Sequence, residues 1–87
     1  MPYFVYIIKT LDHFKNKTYV GYTNDLDKRV RKHNKNKGAK ATRGYKWKYI
    51  YKKRFVNKSE AMTYEYKLKN DRKKRASIIK LFNDKKT

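Results

Sequence analysis

Apolar residues run unbroken from Phe4 to Ile8, inside a segment rich in aromatic and β-branched side chains. That pattern predicts a strand over Tyr3 to Thr10 with both faces buried. Leu11 to Lys17, with Asp12 and Asn16, is a polar connection, and Thr18 to Tyr22 reads as a second strand, the hairpin partner of the first. Asn24 or Asp25 then caps a helix running to about Asn36, whose apolar residues Leu26 and Val30, four apart, place one stripe on the core. Lys37 to Tyr45 is a basic loop with Gly38 and Gly44. Trp47 to Val56 is a third strand, with Trp47, Tyr49, Tyr51 and Phe55 on one parity and Ile50 and Val56 on the other. Asn57-Lys58-Ser59-Glu60 has capping-box spacing and opens a helix to about Asn70. Asp71 begins a last helix carrying Ile78, Ile79 and Phe82. The order β-β-α-β-α-α implies an α/β domain, a central, mainly antiparallel three-stranded sheet flanked by helices.

Composition narrows this picture. Eighty-seven residues suffice for one domain with a modest core, taken here as residues 1–87 with the core over about 3–80. There is no cysteine, so neither disulfides nor a Cys-based zinc site supports the fold. Nine Tyr, four Phe and one Trp compensate, because each buried ring removes a large apolar area from water. No apolar run approaches a membrane span or a secretory signal, and the expectation is a soluble cytoplasmic protein.

Charge narrows it further. Twenty-six Lys and Arg oppose seven acids, Asp12, Asp25, Asp27, Glu60, Glu65, Asp71 and Asp84, for a net +19. No acid occurs from Lys28 through Ser59. A field of one sign repels its own folded state and calls for a polyanionic partner. Nucleic acid, DNA first and RNA second, is the expected one. A membrane surface is not, since no long helix pairs a basic face with a broad apolar one.

One constellation points to chemistry. Tyr19 follows Tyr6 by thirteen positions, Arg29 follows Tyr19 by ten, and His33 lies one helical turn beyond Arg29. Two phenols, a guanidinium and an imidazole on a strand-turn-strand-helix unit suit phosphodiester cleavage. That reaction needs an activated water, a holder for the phosphate and neutralisation of the leaving oxygen. Two-metal nucleases use clustered carboxylates, which seven scattered acids do not readily build. A nuclease of this composition would use one metal held by very few acids.

These segments resemble the GIY-YIG endonuclease domain, in its small stand-alone bacterial type grouped as UPF0213, over about residues 3 to 80. Phe4-Val5-Tyr6 stands where that family has Gly-Ile-Tyr, and Tyr19-Val20-Gly21 stands for Tyr-Ile-Gly. Thr23 to Arg29, His33-Asn34, the stretch Lys37 to Gly44, and Glu60-Ala61 with Glu65 complete the likeness. Phe4-Val5 departs from the family motif, and no appended DNA-binding domain of the kind that targets many relatives is expected. The resemblance implies that Tyr6 and Tyr19 face each other across the hairpin and orient or deprotonate the attacking water, Tyr19 being the preferred activator. It implies that Arg29 holds the scissile phosphate and that His33 relays a proton. Glu65 would ligate a single Mg2+ or Mn2+, with water and phosphate oxygens as the other ligands. Lys28, Arg31, Lys32, Lys37, Lys40, Arg43 and Lys46 are the expected nucleic-acid contacts, mostly to phosphates. The expected function is metal-dependent hydrolysis of nucleic-acid phosphodiester bonds in DNA processing or repair. The alternative is a non-catalytic DNA- or RNA-binding protein on the same scaffold. Tyr6, Tyr19, Arg29 and Glu65 together favour the enzyme, because binding alone has no use for an acid in a phosphate site.

Overall fold

Strand β1, Tyr3–Thr10, forms the centre of the sheet in the computed structural model, which describes residues 2–11, 17–38 and 40–85. Strand β2, Thr18–Thr23, and strand β3, Trp47–Phe55, flank it in the order β2-β1-β3, both antiparallel to it. The order of elements is β-β-α-β-α-α, as the hydrophobic pattern predicts. Val5, Ile7 and Ile8 are fully buried on the central strand, each worth about 1.5–3 kcal/mol over exposure. Residues 12–16 of the expected hairpin connection lie outside the described residues.

Each face of the sheet has its own cover. Val5, Ile7 and Val20 pack against Ala61 and Leu68 of helix α2, Lys58–Lys69, and Ile78 of helix α3, Arg72–Lys85. Tyr6, Ile8 and Trp47 form the other cluster, with Tyr19, Tyr45, Tyr49 and Leu26, the first residue of helix α1, Leu26–Asn34. Among the described residues, no helix is long and apolar enough to cross a membrane.

Capping residues set the helix starts. Asp25, rather than Asn24, is the N-cap of α1, its carboxylate accepting the Lys28 amide at 3.0 Å. Asn57 accepts the Glu60 amide at 2.9 Å and Asp71 the Lys74 amide at 2.9 Å, opening α2 and α3. Helix α1 ends at Asn34, two residues before the expected limit. Asn36 adopts a left-handed conformation with φ 62°, and two reversed bonds, Lys37 N to Lys32 O and Asn36 N to His33 O, close the end. This is a Schellman motif, with asparagine where glycine is commonest.

Strand β3 departs from simple alternation. Ile7 pairs with Tyr51 and Ile8 with Tyr49, so Ile50 is the extra residue of a bulge. The expected single parity of Trp47, Tyr49, Tyr51 and Phe55 is therefore split. Trp47 and Tyr49 face α1, while Tyr51 and Phe55 face α2 and α3 together with Ile50. Tyr51 meets the Tyr64 hydroxyl of α2 at 2.8 Å. Val56, expected on the strand, lies just beyond it and is exposed.

Candidate active site

Tyr6 occupies the middle of the central strand and is fully buried, yet its hydroxyl has two polar neighbours. Arg29 Nε donates to it at 3.2 Å and His33 Nε2 lies 2.9 Å away. Both partners come from α1, four residues apart on one helical face, which continues the stripe of Leu26 and Val30. The apolar pattern of α1 extends into a polar end: its one buried residue is His33.

Tyr6 pairs across the hairpin with Gly21, while Tyr19 pairs with Ile8. The two phenols thus share a face as diagonal neighbours, not as the directly opposed pair expected. Tyr6 lies over Gly21, where an added Cβ would sit 2.4 Å from Tyr6 Oη and 3.2 Å from Tyr19 Cε2. Glycine is required there by the tyrosine above it. The half-buried Tyr19 ring packs on His33 with centroids 5.5 Å apart. Tyr49 meets Tyr6 edge-on at 5.4 Å and donates its hydroxyl hydrogen to the Leu26 carbonyl, tying β3 to the start of α1.

Electrostatics follow from this packing. Burial raises the Tyr6 pKa above 10.0, opposed by the Arg29 hydrogen bond and charge and reinforced by Tyr19 and Glu65. Burial first, then Arg29, lowers His33 from 6.5 to about 4, so its ring is neutral at physiological pH. Burial pushes Tyr49 up as well. The hydrogen bond to Tyr6 holds Arg29 above its ordinary value.

An open cleft of about 200 Å³ is lined by Thr23, Asn24, Asp25, Lys28, Arg29 and Lys32. It brings Lys28 and Lys32 of the expected nucleic-acid contacts beside Arg29. Arg31 is exposed on the same helix outside that lining, and Lys37, Lys40 and Arg43 are exposed on the following loop. Lys46 Nζ instead donates to the Asn34 carbonyl at 2.6 Å, fastening the end of α1.

Glu65 arrives from the other layer. Helix α2 packs on the opposite face of the sheet, and β2 is an edge strand, so side chains of α2 can pass around it. Lys69 Nζ, 5.9 Å from the centre of the Tyr19 ring, marks that path. Glu65 pairs with Lys69 at 3.5 Å, and its charge is felt at Tyr6. Among the described residues, no three His, Asp or Glu side chains cluster as a metal site. A metal here would have one carboxylate, Glu65, only 17% exposed, a donor suited to a hard cation that keeps water and substrate oxygens as its remaining ligands.

Several residues of the site were not singled out by sequence. Thr42, fully buried in the 3-10 turn Lys40–Thr42, meets His33 Nδ1 at 2.8 Å. Gly38 lies against the imidazole: a Cβ there would fall 2.5 Å from Nδ1. Gly44, with φ 89°, has open space where a Cβ would point. Asn34 holds Trp47 by both backbone groups, at 2.6 and 3.3 Å, and Trp47 Nε1 donates to the Thr42 carbonyl at 2.9 Å. The signals of this in the sequence were a lone threonine amid loop cations and the likeness of His33-Asn34 and Lys37 to Gly44 to the family.

A three-stranded antiparallel sheet in this order, with a tyrosine on its central strand meeting an arginine and a histidine of the first helix, defines a class of domain. The family model of the GIY-YIG catalytic domain matches residues 2–83, and the chain belongs to this family, whose members are typically nucleases. It is 46% identical over 68 residues to the UPF0213 protein OB0043 of Oceanobacillus iheyensis, covering 77% of this chain and 76% of that protein. It is 39% identical over 83 residues to the UPF0213 protein BH0048 of Halalkalibacterium halodurans, covering 93% and 85%. The solution NMR structure of the UPF0213 protein BH0048 from Bacillus halodurans aligns with a TM-score of 0.51 at 38% identity, over 93% of this chain and 85% of that one.

Proposed function

We propose that this protein is an endonuclease that hydrolyses nucleic-acid phosphodiester bonds, DNA foremost, with one Mg2+ or Mn2+, in DNA processing or repair. The observation that carries the reading is the hydrogen bond from Arg29 Nε to the buried Tyr6, at the wall of a basic cleft. It holds the guanidinium rigid and leaves its two terminal amino groups to take phosphate oxygens in a planar fork. Such fixed donors stabilise charge that develops in the transition state without reorganising at the moment of reaction.

The remaining roles follow from position. Lys28 and Lys32 flank Arg29 in the cleft and steer the polyanion into it. Glu65 would hold the metal, which would supply further neutralisation of the phosphate. Tyr19, half buried on the edge strand between His33 and the Glu65–Lys69 pair, orients the attacking water. Tyr6 anchors Arg29, and the neutral His33 behind it is placed to receive its proton.

The deciding experiment is cleavage of a panel of duplex, branched and single-stranded DNA and RNA with Mg2+, Mn2+ or EDTA, beside Glu65→Gln. Metal-dependent cleavage lost in the variant, with nucleic-acid affinity kept or slightly improved, is the expected result. If wild type and variant bind alike and neither cleaves, Glu65 serves only its pair with Lys69, and the chain is a non-catalytic nucleic-acid-binding protein.

A further inference from the structure

Thr42 plays no part in the roles above, yet its side chain is fully buried and touches the ring behind Tyr6. Hydrogen positions around that ring follow from counting donors and acceptors. Tyr6 Oη has two polar neighbours. Arg29 Nε can only donate, so the phenolic hydrogen has His33 Nε2 as its acceptor. A buried phenol finds a partner for its hydrogen. Nε2 is therefore bare, and the single hydrogen of the neutral imidazole sits on Nδ1, 2.8 Å from Thr42 Oγ1. The chain of donors runs Arg29 to Tyr6 to His33 to Thr42.

We propose that Thr42 is a positioning residue: by accepting the Nδ1 hydrogen it fixes the His33 tautomer whose Nε2 faces the hydroxyl hydrogen of Tyr6. Its place is set from several sides. Trp47 Nε1 holds the Thr42 carbonyl, and Asn34, the residue after His33, holds the Trp47 backbone. Gly38 presses its backbone against the same Nδ1 edge, where a Cβ would sit 2.5 Å away. The turn that presents Thr42 inward also presents Lys40 to solvent, so one short segment serves both the imidazole and the nucleic-acid face.

Without the hydroxyl, the hydrogen bond that held the ring in the Nδ1–H form is gone, and the hydrogen passes to Nε2. Tyr6 Oη then receives two donors and loses the acceptor for its own hydrogen. Only the consequence for the rate rests on the nuclease reading; the tautomer does not.

The test combines long-range 1H–15N NMR of the His33 imidazole with single-turnover cleavage and nucleic-acid affinity. It uses wild type, Thr42→Val and Thr42→Ser, with the His33 signals assigned by their loss in His33→Gln. Wild type and Thr42→Ser are expected to show Nδ1–H, and Thr42→Val to show Nε2–H. Cleavage should slow by about a hundredfold in Thr42→Val, with affinity unchanged, and recover in Thr42→Ser. An Nε2–H tautomer in the wild type overturns the proposal whether or not any variant folds. So does a wild-type tautomer or rate in Thr42→Val, or a Thr42→Ser variant as slow as Thr42→Val. Absence of cleavage by the wild type defeats the nuclease reading alone, and the tautomers still decide the role of Thr42.

Discussion

Protonating His33 should unfasten the domain, and the size of the effect can be worked from its burial. The folded imidazole is completely inaccessible, lies beside the Arg29 guanidinium, and holds its pKa at about 4 against 6.5 when unperturbed. From 6.5 down to about 4 the unfolded chain binds a proton at this position that the folded chain refuses. Stability therefore rises with pH across that window, is fully present above the unfolded value, and is lost as pH falls towards 4. At about 1.4 kcal/mol per pH unit, the gap amounts to roughly 3 kcal/mol. A domain of this size has a total stability on the order of 4–13 kcal/mol, so the loss is a large share of it. The assay is urea unfolding of wild type and His33→Gln at a series of pH values across the window. Every other residue is common to the two proteins, so the difference between the curves isolates His33. The gap should narrow by roughly 3 kcal/mol as pH falls. Parallel curves, or an NMR titration of folded His33 near its ordinary pKa, would refute the reasoning.

Three further substitutions, one with a control, probe the surroundings of Tyr6 and His33. Gly21→Ala forces a Cβ to within 2.4 Å of Tyr6 Oη in a packed site; a cost of about 1–3 kcal/mol is expected, read as a Tm lowered by roughly 4 °C or more, and an unchanged Tm would show that Tyr6 moves freely. Arg29→Lys keeps the charge but loses the fork and the Nε donor to Tyr6, so single-turnover cleavage should drop about a hundredfold or more. Exposed Arg31→Lys is its near-silent control, and equal rates in the two variants would demote Arg29 to one cation of a basic surface. Tyr19→Phe keeps the ring against His33 and should abolish most cleavage at normal Tm; full activity would move water activation to another group.

Local chemistry decided much of this protein before it folded. The apolar run at the start of the chain has one economical use, the doubly covered central strand, because a short β-branched and aromatic run must be buried on both sides. Asp25, Asn57 and Asp71 mark their helix starts because each side chain serves an amide within three residues. That Arg29 and His33 share one face of α1 was legible for the same reason, since the helix period maps residues four apart directly onto one face. What tertiary structure decided lies where partners are distant in sequence. The bulge at Ile50 that sends Tyr49 and Tyr51 to opposite faces depends on how β3 registers against β1. The pairing of Tyr6 with Gly21 rather than Tyr19 is set by hairpin register. His33 became a buried, neutral ring only because Tyr6, Tyr19, Gly38 and Thr42 close around it from the sheet and the loop. Lys69, paired with Glu65 on the far layer, comes beside the Tyr19 ring because β2 ends the sheet there, a consequence of strand order to which no periodicity in the chain refers.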